Sequence, residues 1–154
     1  MMNDKALREQ LVNLLTKDNA HITLDDAVKD APASAHGQRA PGQPHTPWEL
    51  LEHLRIAQWD IVEFTRNPKH ESPEFPAGYW PKESAPPNAS AWNESVEAFR
   101  KDLEAMVEIT NTAPDLFATL PHGTGQTVLR EILVLADHNA YHIGQLVVAL
   151  KANS

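Results

Sequence analysis

The distribution of proline is the feature that most limits the fold of this chain. Six of its 12 prolines lie within residues 67–87. Four longer segments hold a single proline among them, Pro47, and they cover residues 4–18, 47–66, 89–110 and 126–151. Because proline cannot continue the interior of a helix, the four segments are candidates for long helices. Residues 67–87 are predicted to form a long, stiff loop between the second and the third.

Capping residues and apolar spacing support four helices. Thr46 followed by Pro47 and Glu49 predicts a capping box, so the second helix is expected to begin at Pro47. Asn88 or Ser90 can cap the third, where apolar residues recur at helical spacing. Short helices are predicted at 24–29 and 114–117 within the connections, and no segment alternates with period two. The expected fold is all-α, a four-helix bundle forming one domain over residues 1–154.

Composition excludes several classes of protein. The chain has no cysteine, so any metal must be bound by imidazole and oxygen ligands. Its formal charge is −8 and its 13 Lys and Arg residues are scattered, which argues against a nucleic-acid partner. The N-terminus MMNDKALREQ is charged, and no stretch approaches the ~20 apolar residues of a membrane span. We therefore expect a soluble, cytoplasmic protein without a membrane partner.

Two histidines one helical turn apart, His138 and His142, lie in the apolar segment VLREILVLADHNAYHIGQLVVAL. Residues four apart share one face of a helix, so both imidazoles can bind one divalent ion. A third candidate ligand, His53, lies in the other strongly apolar helical segment, TPWELLEHLRIAQWDIVEF. If the two helices pack with these faces together, they form a three-histidine metal site.

An alternative remains open for these histidines. Each falls at the edge of the apolar stripe of its helix, where half-buried structural histidines are also common. Spacing and projection alone therefore do not decide between metal ligands and structural residues. The other five histidines fall in predicted loops or at helix ends and are predicted to be solvated: His21, His36, His45, His70 and His122.

The segments that carry the three candidate ligands resemble a known family. HTPWELLEHLRIAQWDIVEF, the loop with GYWP, and GQTVLREILVLADHNAYHIGQLVVAL are similar to the DinB / YfiT-like superfamily of four-helix-bundle metal-binding proteins, over residues 45–150. The resemblance implies one histidine ligand from the second helix, matched by His53, and two spaced as HxxxH from the fourth, matched by His138 and His142. It also implies nickel or zinc as the bound ion and a homodimer.

Carboxylates close to the histidines are candidates for a supporting role. Asp60 and Glu131 are expected to orient the imidazoles or to move a proton, the alternative being ordinary surface carboxylates. Asp137 falls on the other side of its helix and is expected to be solvated. Gln145 and Tyr141 are weaker candidates.

Aromatic residues in the proline-rich loop form a second candidate feature. Phe75, Tyr79 and Trp80 could close over the metal as a pocket wall. Alternatively they cap the end of the bundle core, since a loop of this length needs apolar anchors. Trp48 and Trp59 lie together on the second helix and are expected to pack against another helix or a dimer partner.

Three neutral imidazoles leave a divalent ion its full charge and at least one open position, as in catalytic metal sites. Relatives in the superfamily include thiol-dependent S-transferases and isomerases that use low-molecular-weight bacterial thiols. The resemblance thus implies a metal-dependent transferase, with such a thiol as co-substrate, or a hydrolase acting on a small molecule. The competing hypothesis is a non-enzymatic small-ligand or stress-related binding protein in which the metal is structural. No HExxH, Glu-x-x-His pair, Walker loop or Gly-x-Ser-x-Gly elbow is present.

Overall fold

Residues 4–153, the part of the chain described by a computed structural model, form four long α-helices, one short α-helix and two 3-10 helices of three residues each, Ala33–Ala35 and Ala77–Tyr79. The long helices are α1 (Asp4–Thr16), α3 (Pro47–Arg66), α4 (Ala91–Thr112) and α5 (Val128–Ala152), and the short one is α2 (Leu24–Val28). Within these residues there is no β-strand, only an isolated bridge between Thr119 and Thr127. The predicted all-α four-helix bundle is confirmed.

Helix α3 is the centre of the bundle and packs along both α5 and α4, while α1 packs against α4 and α5. The core has two parts. One lies where α2 joins the bundle and includes Leu51, Leu54, Phe99 and Leu146. The other lies towards the C-terminal end of α3 and includes Leu11, Val62, Met106, Ile132 and Leu135. The described residues contain no helix that combines the length and the apolar character needed to span a membrane.

The predicted capping box at the start of α3 is confirmed. The Thr46 hydroxyl accepts from the Glu49 amide at 3.1 Å, and the Glu49 carboxylate accepts from the Thr46 amide at 2.8 Å. The same hydroxyl donates to the Ser84 carbonyl at 2.7 Å, which attaches the proline-rich loop to the helix. At the start of α4, Ser90 is the N-cap residue. The capping acceptor is Asn88 Oδ1, which accepts hydrogen bonds from the backbone amides of Ser90 and Ala91.

The helix predicted at 114–117 is wrong. Residues 113–118 form a turn in which Asp115 Oδ1 accepts from the Phe117 amide at 2.8 Å. A side-chain acceptor that bonds its own backbone two residues ahead competes with a helical hydrogen bond, so the segment closes as a turn. The Leu116 carbonyl then accepts from the Leu129 amide at 2.8 Å and connects this turn to α5.

Candidate metal centre

The side chains of His53, His138 and His142 converge between α3 and α5. The Nε2 atom of His53 lies 3.1 Å from Nε2 of His142 and 3.1 Å from Nε2 of His138. Candidate ligand atoms of the three residues all lie within 4.8 Å of one another, and no other such cluster occurs among residues 4–153. Because α3 packs along α5, the one-turn spacing of the α5 pair sets both rings opposite His53.

Hydrogen bonds orient two of the three rings. Nδ1 of His53 donates to the Tyr79 carbonyl at 2.8 Å, and Nδ1 of His142 donates to Gln145 Oε1 at 2.7 Å. A proton on Nδ1 leaves Nε2 with its lone pair, so both Nε2 atoms are ready to bind a cation. Nδ1 of His138 is buried without a hydrogen-bond partner within the described chain, so packing holds this ring in place.

Burial keeps the three imidazoles neutral. It lowers the pKa of His53, His138 and His142, and the neighbouring histidines lower each pKa further. The pKa of His138 falls to about 3, mainly by desolvation and then by His142 and His53. Since imidazole binds metal only when it is neutral, the cluster is already in its binding form at neutral pH.

The donor set fits a divalent transition metal. Ligand atoms at ~2.05 Å from a tetrahedral ion lie about 3.3 Å apart, and the two closest pairs here are 3.1 Å apart. Two lone pairs at this separation repel unless a proton or a cation lies between them. Three protein ligands leave at least one position for an exogenous ligand, and imidazole nitrogen is a ligand that both nickel and zinc accept.

Asp60 connects the site to the proline-rich loop. Its carboxylate accepts from Tyr79 Oη at 2.7 Å through one oxygen and contacts His70 Nε2 at 2.7 Å through the other. Desolvation and then the Asp60 carboxylate raise the pKa of Tyr79 to about 12, so its hydroxyl remains a donor. Because the carbonyl of the same Tyr79 accepts from His53, hydrogen bonds connect Asp60 with a candidate ligand through one intervening residue.

Trp80 is the loop residue in closest contact with the cluster. Its indole stacks on His53 with ring centroids 3.9 Å apart and on His45 at 4.0 Å, so it lies between the two imidazoles. Tyr79 lies beside it, and its carbonyl accepts from His53 while its hydroxyl donates to Asp60. Phe75 is 84 % exposed, and its ring centroid lies 6.2 Å from that of Tyr79 in an edge-on arrangement. Within this aromatic group the ring contact with the clustered histidines thus comes from Trp80, and the hydrogen bond comes from the Tyr79 carbonyl.

The other sequence candidates lie around the cluster in different ways. Glu131 is buried two turns before His138 on α5, and its carboxylate accepts from Arg130 at 2.6 Å. Gln145, a weaker candidate, contacts a histidine directly, as described above. Tyr141 is exposed with its ring edge against His142, and Asp137 is exposed as expected.

The expectation of five solvated histidines is wrong for most of them. His21 is exposed, but His36 is buried and stacks on Trp92 at 3.7 Å. The side chain of His70 is 6 % exposed through its contact with Asp60. Nε2 of His122 donates to the Phe64 carbonyl at 2.6 Å. Loop histidines are buried here because the loops fold back onto the bundle, which the spacing of apolar residues does not reveal.

His45 and His70 are the residues of this region that the sequence analysis missed. His45 lies close enough for its charge to lower the pKa of His53 and of His142. A signal for His45 was available, because it immediately precedes the Thr46 cap and lies eight residues, about two helical turns, before His53. His70 carried no comparable signal, since its position depends on the path of the loop.

A family model described as the DinB superfamily matches residues 18–146, a range that includes all three clustered histidines. The chain belongs to the DinB superfamily. Comparisons with curated proteins and with solved structures gave no significant match.

Proposed function

We propose that this DinB-like protein binds one nickel or zinc ion through His53, His138 and His142 and catalyses a thiol-dependent transfer reaction on a small molecule. The observation that carries the proposal is the convergence of three neutral imidazoles with 3.1 Å between their nearest Nε2 atoms. Family membership and the absence of a fourth histidine or carboxylate from the cluster within residues 4–153 support a site with an open position.

A divalent ion in this site supplies Lewis acidity, which lowers the pKa of a thiol or a water molecule. Hydrolysis also needs a free base close to the reacting atoms. Both oxygens of Asp60 are engaged by His70 and Tyr79, and Glu131 is paired with Arg130. This occupation of the two candidate carboxylates favours the transferase over the hydrolase, because a thiolate attacks without a base that activates water.

We leave Asp60 as a positioning residue. The thiol proton is assigned to solvent rather than to His45, because the Trp80 indole lies between His45 and His53. In the transfer the thiol S–H bond breaks and its proton passes to solvent. The S–C bond to the electrophile forms as the leaving group departs with its bonding electron pair. Trp80 forms one wall of the site.

Cobalt substitution tests both halves of the proposal. Cobalt-loaded protein is expected to show a visible spectrum that changes on addition of bacillithiol, mycothiol or glutathione, because a thiolate enters the open position. The His53→Ala variant is expected to lose both the spectrum and the thiol-dependent consumption of an electrophile. A spectrum indifferent to every thiol would favour the non-enzymatic alternative with a structural metal, and electrophile consumption without thiol would favour the hydrolase.

A further inference from the structure

A cavity of about 800 Å³ lies on the opposite side of α5 from the histidine cluster. Its walls come from the C-terminal part of α1, the start of α2, α4 and α5. The cavity has a simple origin in helix length. Helix α1 has 13 residues and α5 has 25, so at 1.5 Å per residue α1 covers about half of the length of α5. Helix α2 covers the far end, and the cavity is the space between them.

The walls are largely apolar and include Leu15, Leu24, Phe99, Leu103 and Ile143. The positive and negative charges of the residues around these walls nearly cancel. Lys17 and Arg100 are the cations, and Arg100 forms an ion pair with Asp25 at 2.8 Å. Glu104 and Asp137 are the remaining acidic residues. An apolar body therefore increases the affinity of an occupant for the cavity, whereas a net charge adds little to it.

One polar residue of the lining has an unsatisfied hydrogen-bonding group. Asn139 is 8 % exposed, and its Nδ2 donates to Gln58 Oε1 at 2.9 Å. Gln58 is fully buried and its own Nε2 donates to the Phe99 carbonyl at 2.7 Å, which determines the orientation of both amides. Asn139 Oδ1 is then left as a buried acceptor without a partner among residues 4–153. An unpaired buried acceptor is unfavourable, and a ligand donor would supply the missing hydrogen bond.

We infer that this cavity is a second binding site, for a small neutral molecule with an apolar body and one N–H or O–H donor directed at Asn139. Its volume lies within the range of small-ligand pockets, about 300–1,000 Å³. A helix 10–12 Å wide occupies on the order of 130 Å³ per residue, so the cavity would take only about six residues of a partner helix. This limit favours a small molecule over a peptide.

Fluorescence titration with N-phenyl-1-naphthylamine, a neutral apolar probe with one N–H, tests the inference. Saturable binding is expected, and 1-phenylnaphthalene, which lacks the donor, is expected to compete about tenfold more weakly. The Ala140→Phe variant places a large side chain in the cavity wall and is expected to weaken probe binding at least about tenfold. Val148→Phe on the exposed side of α5 is the matched control and is expected to bind the probe as the unmodified protein does.

Circular dichroism and metal binding check that each variant is folded, and Ala136→Leu replaces Ala140→Phe if the latter does not fold. Absence of saturable binding, or equal binding by the cavity variant and the control, would overturn the inference. The inference would also be overturned if light scattering showed that the protein is a dimer and that Ala140→Phe makes it a monomer, because a second copy of the chain would then cover the cavity.

Discussion

The two sides of α5 hold potential ligands by different means. On the side that faces α3, polar side chains converge, and hydrogen bonds through Tyr79 and Gln145 set the direction of two imidazoles. On the side that faces α1 and α2, the lining is largely apolar and Asn139 Oδ1 is the buried acceptor left open. The first side thus offers directed ligand atoms, whereas the second offers an apolar volume with one buried acceptor. The difference predicts a selective metal site and a permissive apolar site on one helix.

Metal binding is the largest expected difference between the two sides. His53→Ala, His138→Ala and His142→Ala should each abolish stoichiometric binding, because two remaining imidazoles hold a divalent ion weakly. His21→Ala, an exposed histidine near the cavity, is the control and should bind fully. Elemental analysis after dialysis measures the occupancy. Full occupancy in His53→Ala would remove His53 from the ligand set.

The stability gained from metal should depend on the histidine side alone. An ion that binds only the folded protein stabilises it by about 2.7 kcal/mol when free metal is a hundredfold above its Kd. For a chain of this size the Tm should rise by about 5–10 °C, and the rise should be absent from His53→Ala. Calorimetry with and without chelator measures the shift. Unfolding on chelation at room temperature would contradict the view that the two apolar core clusters suffice for folding.

The loop connection to His53 should have a smaller effect on metal affinity. Tyr79→Phe removes the hydroxyl that donates a hydrogen bond to Asp60. The Tyr79 carbonyl, which accepts from His53, is then held less firmly. Metal affinity is expected to fall about tenfold, which is the lower end of the roughly 10- to 100-fold loss seen when a residue that hydrogen-bonds to a metal ligand is removed. Tyr141→Phe is the matched control, because this exposed ring meets only the edge of His142. Competition with a chelating dye gives both Kd values, and an equal effect of the two changes would argue against the connection.

The smallest expected effect is the pH dependence of the metal-free protein. The pKa of His138 is lowered to about 3, so below pH 6.5 the unfolded chain takes up a proton that the folded protein does not. The stabilising contribution is complete above pH 6.5 and is lost progressively as the pH falls towards 3. Between pH 6.5 and 5.5 the loss for one imidazole is about 1 kcal/mol.

The His138→Gln variant isolates this contribution. Denaturant unfolding with chelator present should give a shallower decline below pH 6.5 for His138→Gln than for the unmodified protein, and parallel curves above pH 7. Parallel curves over the whole range would mean that His138 titrates normally in the folded protein.

Local patterns predicted the helices well where the interactions are also local. Thr46, Pro47 and Glu49 lie within one turn, and α3 begins at Pro47 and ends at Arg66 as predicted. The helix predicted at 114–117 was wrong although the competing interaction is also local. The Phe117 amide donates to the Asp115 side chain instead of forming a helical hydrogen bond, and the spacing of apolar residues does not reveal this. The candidate ligand set was predictable because His138 and His142 share a helical turn and His53 lies in the other strongly apolar helical segment, a choice that the family resemblance supported.

The sequence by itself determined that the chain forms four long helices and that two histidines share one face of the last. Apolar periodicity and capping act over three or four residues, so they can be read directly from the chain. Only the tertiary structure decided that His45, Asp60 and His70 surround Tyr79 and Trp80, because the path of a 24-residue connection is set by contacts distant in sequence. It also decided that a cavity lies beside Asn139, since that space depends on how far α1 extends along α5.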